Sequence, residues 1–278
     1  LGLWLADPSV STESLTDALS KTLNCGLLGL TQQDPNDYPR PISGPRTSTL
    51  DYIETALVQL DGSFEDFWSS RGKNLRQNMR RQQNRLDRED CNWQMTTITD
   101  PEQIGAAVAS YGELESKSWK AAGGTAITPD NDQGRFYTEL LSKAAQRGQG
   151  RVYQMHYDGV LVATDLCIDD GQVIVILKTT YDETITTSSP AMLLRKSYFE
   201  QLFDETTLQR VEFYGRVMDW HRKLTDNIRV MYHVNRYRVP GMAIAHGELK
   251  QLRTRLKTLP TQARKRAESL IAKTKQPQ

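Results

Sequence analysis

The sequence predicts an α+β protein with a mixed, mostly antiparallel β-sheet flanked by helices. Two Asp-Gly pairs, Asp158–Gly159 and Asp170–Gly171, separate three apolar runs, and this dipeptide is a strong signal for a tight turn between antiparallel strands. Segments with helical spacing alternate with further strands around these runs. The chain has 278 residues, of which 38% are hydrophobic, so it can bury one or two cores.

The composition limits the possible classes of protein and ligand. The net charge of +1 argues against a chain that is basic throughout, so binding to nucleic acid or to an anionic surface must depend on local patches. Three scattered cysteines, Cys25, Cys91 and Cys167, are too few for a disulfide framework and indicate a reducing compartment. No apolar run approaches the roughly 18 residues of a membrane span, and no signal peptide is visible. We therefore expect a soluble, cytoplasmic protein.

The first 60 residues predict a small α/β unit. Ser11 or Thr12 is a suitable N-cap for a helix, because leucines recur behind it at helical spacing. These leucines are Leu15, Leu19 and Leu23. A strand is predicted next over 25–35, and a second strand, or alternatively a helix, over 50–60; a loop with three prolines and a glycine separates them.

A strongly basic helix is predicted over 73–88. Leu75, Met79 and Leu86 form a narrow apolar stripe along it. Five arginines crowd the remaining faces: Arg76, Arg80, Arg81, Arg85 and Arg88. Two interpretations stay open, a solvated face whose long side chains cover neighbouring surface, or contact with phosphates of a cofactor or a nucleic acid.

From Cys91 onward the order of elements becomes regular. A strand over 92–99 leads into a helix that starts at Asp100 and Pro101 and runs to the residues "SKSWK". A second helix ends at Gly148, and the three antiparallel strands follow. A helix that begins at Pro190, a strand "RVEFYG", a short helix and a final strand complete the predicted order.

The tail, residues 246–278, is basic and has a helical pattern. Glu248 and Glu268 are its two acidic residues, and Pro260 divides it into two segments. It is predicted to pack on the body as a helical hairpin, or to bind an acidic partner, an anionic membrane or nucleic acid. Its apolar face is too thin for strong membrane binding.

The start of the predicted helix after the third hairpin strand is a candidate anion site, although an N-cap followed by Pro is also common in ordinary helices. Ser189 is a good N-cap, and Pro190 suits the first helical position, where no N–H group is needed. We expect the N–H groups of Ala191, Met192 and Leu193 to be unpaired and to point out of the helix end. Free donors and the helix dipole both favour an anion there.

The order of elements and several sequence blocks resemble one superfamily. The blocks include "LRQNMRRQQNRL", "FYTELLSKAAQRG" and "SSPAMLLRKSYFE", and the similarity extends over about Arg71–Asp226. They are similar to the GNAT N-acyltransferases, especially to the CelD/BcsL-like branch that is related to FemAB. The resemblance implies a tandem GNAT-like fold. It divides the chain into a truncated N-terminal half with the basic linking helix (1–90), an acyltransferase domain (91–240) and a basic helical tail (241–278).

The resemblance implies an acyl-CoA donor, acetyl-CoA in the first instance, and no metal. In the GNAT fold the corner that leads into the helix after the fourth strand holds the diphosphate of the donor. The implied donor-binding residues are Thr179, Thr180, Tyr181, Ser188, Ser189, Ala191, Met192 and Leu193. The usual glycine-rich loop is missing, because "YDETITTSSPA" contains no glycine. The four histidines have no metal-ligand spacing.

Three residues are candidates for the chemistry of transfer. Glu212 and Tyr214 lie two apart on one strand, so they share a face, and we predict a base and an acid or orienting group for amine acylation. The alternative is that Glu212 is a solvated strand residue and that Tyr214 is an aromatic residue packed at the edge of the sheet. Asp165 lies among apolar neighbours and needs a partner or a purpose, so it either holds a substrate amine or pairs with a nearby Arg or Lys.

Acceptor-binding residues are implied at two places. They are Trp119 and Lys120 at a helix end, and Arg216 and Lys223 after Glu212. An aromatic plate with cations suits a sugar or a nucleotide-sugar amine, and helix-end packing with surface charge is the alternative. An amino-sugar or cell-envelope precursor is implied by analogy. Two other functions stay open: a FemAB-like transferase that uses aminoacyl-tRNA, for which the basic helix and the tail would hold RNA, and an inactive binding or regulatory subunit.

Overall fold

The computed structural model describes residues 10–117, 127–128, 131–243 and 245–247. The helices within these residues are α1 (Thr12–Thr22), α2 (Phe64–Ser69), α3 (Lys73–Arg88), α4 (Pro101–Ser116), α5 (Asp132–Ala145), α6 (Pro190–Asp204) and α7 (Asp219–Leu224). The strands are β1 (Leu27–Gln33), β2 (Thr47–Gln59), β3 (Trp93–Ile98), β4 (Gly150–Tyr157), β5 (Val160–Asp169), β6 (Val173–Tyr181), β7 (Arg210–Phe213) and β8 (Ile228–Tyr237). The order predicted after residue 91 is confirmed.

The larger of two compact units comprises Glu54–Arg229. Its strands lie in the order β2-β7-β6-β5-β4-β3. All of these neighbours are antiparallel except β6 and β7, which run parallel because α6 crosses over between them. The predicted α+β class with a mixed, mostly antiparallel sheet is therefore confirmed.

The hairpin turns form where the Asp-Gly pairs predict them. Asp158 and Gly159 join β4 to β5, and both have positive φ angles, +49° and +79°. A two-residue turn of this type needs positive φ at both positions, which Asp tolerates and Gly adopts without strain. Gly171, at φ +90°, lies in the turn between β5 and β6.

Helices cover both faces of this sheet. The face under α6 holds the larger core, which includes Leu193, Phe199 and Val211. The opposite face packs against α4 and α5 through a second core that includes Tyr111, Leu141 and Leu166. Successive side chains of each hairpin strand therefore point into the two apolar layers in turn. For this reason the strands appear in the sequence as nearly continuous apolar runs.

Gly112 allows a close approach of backbone to α4. A Cβ atom at this position would lie 2.5 Å from the Ile127 carbonyl oxygen. We expect Gly112→Ala to lower the free energy of unfolding by about 1–3 kcal/mol, the usual cost of overpacking a core. Gly105→Ala is the matched control on the same helix, where the nearest atom is a Thr138 methyl at 4.0 Å. It should gain up to about 1 kcal/mol from helix propensity. Urea unfolding measures both, and equal shifts would contradict the expected clash.

The smaller unit comprises Leu1–Ile53 and Val230–Gln278, and within its described residues β1 pairs antiparallel with β8. Ser11 caps α1 as predicted, and its side chain accepts the Ser14 N–H at 3.1 Å. The predicted helix is present; Leu15 and Leu19 are half-buried, whereas Leu23 is the C-cap residue and is 62% exposed, and Thr16 is buried. The Thr16 hydroxyl donates to the Thr12 carbonyl at 2.8 Å, so its burial leaves no polar atom unpaired.

The basic helix predicted over 73–88 is α3, with the same bounds. Met79 and Leu86 are buried and Leu75 is half-buried, whereas Arg80 and Arg81 are exposed. Residues 248–278 of the predicted tail lie outside the described residues. The predicted division of the chain into domains after residues 90 and 240 stays a prediction. No helix in the described part of the chain is long and apolar enough to cross a membrane.

Candidate active site

The larger unit has a gap between its two parallel strands. β6 and β7 pair over four residues each, and Ile176 opposite Phe213 is the last pair. The Tyr214 N–H then donates to the Ile176 carbonyl at 3.1 Å. Gly215, at φ +121°, turns the chain away, while β6 continues to Tyr181. Among the described strands none pairs with this edge of β6 beyond Ile176.

A β-bulge lies where the gap opens. On the side of β5, Leu166 pairs with Lys178 and Cys167 pairs with Ile176, so Leu177 is an extra residue of β6. A bulge bends its strand and increases the local twist. The bend therefore coincides with the point at which β6 separates from β7.

The start of α6 is more closed than predicted. The Ser189 N–H donates to Gln82 Oε1 of α3 at 2.8 Å. The N–H groups of Met192 and Leu193 both donate to the Ser189 carbonyl, at 2.9 and 3.0 Å. The prediction that these two amides are unpaired is therefore wrong, because the first turn closes on its own N-cap residue. Ser189 also has no side-chain cap bond, although Pro190 follows it as predicted.

Amide donors are available in the loop that precedes α6. In the described part of the chain, the N–H groups of Thr186, Thr187 and Ser188 have no hydrogen-bond partner. Thr186 and Thr187 are exposed, and the buried Ser188 hydroxyl lies 3.1 Å from the Tyr157 hydroxyl. Successive backbone amides of this kind form anion-binding concavities. These three amides are candidate donors to a diphosphate, and they lie on the N-terminal side of the amides predicted in α6.

A buried ion pair joins α6 to the sheet under the gap. Arg195 Nη2 donates to Asp165 Oδ1 at 3.0 Å and also to the Thr179 hydroxyl. The Tyr198 hydroxyl donates to Asp165 Oδ2 at 2.9 Å. The Arg195 guanidinium carbon lies 4.1 Å from the ring centre of Trp220. Of the two interpretations of Asp165, pairing with a nearby Arg is the one observed.

α7 extends this buried layer with a neutral histidine. His221 stacks on Trp220 at 3.6 Å and accepts the Met218 N–H with Nδ1 at 2.8 Å. Burial lowers the pKa of His221 to about 4, and the Arg195 guanidinium adds to this shift. At neutral pH the cation beside the aromatic rings is therefore Arg195.

The other predicted donor-binding residues of β6 differ in exposure. Thr179 contacts Arg195, Thr180 is buried, and Tyr181 is exposed at the end of the strand. Thr180 pairs with Thr164 of β5, so it lies on the opposite face from Thr179. Tyr181 is the most exposed of the three, and Thr179 is half-buried.

Glu212 and Tyr214 differ in their surroundings. The two Glu212 carboxylate oxygens accept from Arg210 and Arg229, each at 2.9 Å, and the Glu212 side chain is 12% exposed. Tyr214 is 52% exposed and follows the last pair of β6 and β7. The phenol is therefore accessible from the gap, whereas the carboxylate is held in two ion pairs.

Comparison with known families agrees with this architecture. The sequence model described as "Acetyltransferase (GNAT) domain" matches residues 73–222, more than half of the chain. The chain belongs to the GNAT acetyltransferase-domain family. No curated protein matches the sequence.

Solved structures similar to this GNAT protein show the same fold at low identity. The structure of FemX is 10% identical and has a TM-score of 0.51, with 86% of this chain and 72% of FemX covered. The C-terminal domain assigned to a lysylphosphatidylglycerol synthetase from Agrobacterium fabrum is 11% identical and also has a TM-score of 0.51, with 81% and 72% covered. A conserved protein of unknown function from Bacteroides thetaiotaomicron has the same score at 11% identity, with 79% and 72% covered.

A polar group in the GNAT domain was not predicted from the sequence. Lys178 Nζ donates to Gln133 Oε1 at 3.3 Å and lies 5.6 Å from the ring centre of Tyr137. The same nitrogen is 3.8 Å from Glu115 Oε1. These residues come from β6, α5 and α4, so no local pattern brings them together. A lysine inside the apolar run of β6 is the signal that could have found the group.

The predicted acceptor residues are placed only in part. Arg216 is exposed and lies two residues after Tyr214, and Lys223 is exposed on α7. Trp119 and Lys120 lie outside the described residues. The His, Cys, Asp and Glu side chains of the described residues form no group of three that could hold a metal ion.

Proposed function

We propose that the protein is an acyl-CoA-dependent N-acyltransferase that uses acetyl-CoA. The observation that carries this proposal is the gap that begins at Tyr214 and follows β6 toward the loop before α6. The donor, when bound, would supply an acyl group activated as a thioester. The amides of Thr186, Thr187 and Ser188 would hold its diphosphate, and Thr179–Tyr181 would border its acyl arm.

In the proposed reaction the acceptor nitrogen attacks the thioester carbon, and the C–S bond breaks. Tyr214 donates its phenolic proton to the leaving sulfur and regains one from solvent. Glu212 is the proposed base for the proton that the nitrogen loses. Both of its oxygens already accept from guanidinium groups, so it must release one of them to act. Asp165 is proposed to act indirectly, by holding Arg195 and through it Thr179 of β6.

The acceptor is proposed to enter from the side of Arg216, with Lys223, Trp119 and Lys120 as further contacts. An amino-sugar or an envelope or exopolysaccharide precursor suits cations of this kind, since their hydroxyl and phosphate groups accept hydrogen bonds. Membership of the CelD-like branch and a cytoplasmic location belong to the same proposal. Acyl chain length would be set by the depth of the gap.

One observation favours a second candidate, an aminoacyl ester of RNA as donor. Gln82 of α3 accepts a hydrogen bond from the Ser189 N–H at the start of α6. A diphosphate bound there would compete with Gln82 for this N–H group. The same helix exposes Arg80 and Arg81, which are suited to RNA phosphates. RNA binding of this kind should weaken steeply as salt concentration rises.

Thr187→Glu should weaken the binding of coenzyme A about tenfold or more. A carboxylate in the exposed loop repels a diphosphate held by the neighbouring amides, and hydrogen bonds to charged groups contribute about 1.5–3 kcal/mol each. Isothermal titration calorimetry of the full chain with coenzyme A measures the change. Thr187→Gln is the matched control, because it adds the same bulk without charge.

The two variants and the wild type separate the candidates. Equal affinities of Thr187→Glu and Thr187→Gln would contradict the diphosphate site. A wild type that binds RNA in a salt-sensitive manner and fails to bind coenzyme A would favour the aminoacyl donor. Coenzyme binding without any turnover of amines would indicate an inactive binding or regulatory subunit.

A further inference from the structure

One side of α3 brings two arginines to the loop that precedes α6. This side is formed by Asn78, Arg81, Gln82 and Arg85, whose i, i+3, i+4 and i+7 spacing places them together on a helix. Gln82 shows where this side lies, because its Oε1 accepts the Ser189 N–H at 2.8 Å. Its Nε2 is 3.5 Å from the Ser189 hydroxyl. We name these four residues of α3 the α3 patch.

The loop before α6 has no cation of its own. Its charged residues are Asp182 and Glu183, and both are negative. On α6 itself, Arg195 is held in the buried ion pair, and Lys196 Nζ donates to Gln83 Oε1 at 3.1 Å. A cation that helps the loop amides to hold an anion therefore has to come from another element. The α3 patch contacts the end of this loop.

Arg81 is the arginine of the α3 patch that is available to a ligand. Its side chain is exposed and makes no hydrogen bond or ion pair within the described part of the chain. Arg85 is half-buried, and its Nε donates to Glu89 at 2.7 Å. Arg81 and Gln82 differ by about 1.5 Å along the helix axis, so Arg81 lies level with the contact to Ser189.

We propose that Arg81 binds a phosphomonoester at the nucleotide end of the donor, the 3′-phosphate of coenzyme A. This phosphate and the diphosphate are attached to the same adenosine, so a cation beside the loop amides is close to both. A phosphomonoester carries a charge of about −1.5 to −2 at pH 7, and a guanidinium binds it through two parallel N–H donors. The inference rests on the proposed function for the position of the diphosphate.

The opposite side of α3 offers a matched comparison in Arg80. Arg80 is also exposed, but it is two residues from Gln82, about 200° around the helix, and so faces away from the loop. A phosphomonoester next to the loop would contact Arg81 and not Arg80. The successive phosphates of an RNA strand along α3 would contact both arginines.

Coenzyme A and 3′-dephospho-coenzyme A test the assignment, because they differ only in this phosphate. Isothermal titration calorimetry with the full chain should show about tenfold tighter binding of coenzyme A, as expected for a charge-assisted hydrogen bond. In Arg81→Gln this preference should fall to about twofold or less, while the affinity for the dephospho form stays within about twofold of wild type. Arg80→Gln is the control and should keep the preference.

The possible failures are distinguishable. Equal affinities of wild type for the two coenzymes would overturn the assignment and leave the proposed function intact. The same holds if Arg81→Gln keeps the preference, or if Arg80→Gln loses it to the same extent. A wild type that binds neither coenzyme would overturn the proposed function and this inference with it. Arg81 has no partner within the described residues, so Arg81→Gln should fold like wild type, and urea unfolding checks this.

Discussion

Arg195→Met should lower the free energy of unfolding by about 3–5 kcal/mol, the usual cost of breaking a buried ion pair. Asp165 has no exposed surface, and its oxygens accept from Arg195 and Tyr198. Removal of the guanidinium would leave a carboxylate in a low-dielectric layer without its counter-charge. The contact of Arg195 with Trp220 would be lost as well. Urea unfolding followed by circular dichroism measures the loss.

Two controls separate this effect from a general loss of arginine. Arg135→Met breaks an exposed pair with Asp132 on α5, and it should cost less than about 1 kcal/mol. Adding Asp165→Asn to Arg195→Met removes the stranded charge and keeps an acceptor for Tyr198, so part of the stability should return. If Arg195→Met and Arg135→Met cost the same, Asp165 is not a buried charge that needs Arg195.

Tyr214→Phe should lower kcat by about 100-fold or more, within the usual contribution of a general acid. The phenol is exposed at the point where β6 and β7 separate, and its backbone N–H makes the last bond between them. Phenylalanine keeps the ring and the backbone bond and removes the proton donor. The release of free thiol from acetyl-CoA, with the amine that reacts fastest in a panel, measures the rate.

Tyr52→Phe is the control, because Tyr52 is also an exposed tyrosine but lies on β2 in the smaller unit. It should leave kcat unchanged. Because the phenol is proposed to act on the leaving group, KM for the donor should change little in Tyr214→Phe. A kcat equal to that of wild type would remove Tyr214 from the chemistry and leave the fold assignment intact.

Local signals explain why most of the fold could be predicted. The Asp-Gly turns specify the hairpins, with positive φ angles at Asp158, Gly159 and Gly171, and Ser189 with Pro190 specifies the start of α6. The face of α1 could not be predicted. Helical spacing puts Leu23 seven residues from Thr16, on the same side of a helix, but α1 ends at Thr22 and Leu23 is its exposed C-cap residue, so spacing alone does not decide burial.

The candidate site depends on contacts that are distant in the sequence. Gln82 and Ser189 are 107 residues apart. No local sequence pattern therefore predicts that Gln82 accepts the N–H group of the N-cap residue of α6. Glu212 shares a face with Tyr214, as the two-residue period of a strand requires. Its pairing with Arg229 depends on a residue beyond α7. The pair of Lys178 with Glu115 likewise joins two elements whose approach only the tertiary structure defines.

The bond between Gln82 and Ser189 bears on how short a piece of this protein could fold by itself. A fragment that began with β3 would lack α3, and the apolar surface that Met79 and Leu86 cover would face water. It would also leave the Ser189 amide without its acceptor. The smallest autonomous unit must therefore include the basic helix, whether or not that helix ever touches a ligand.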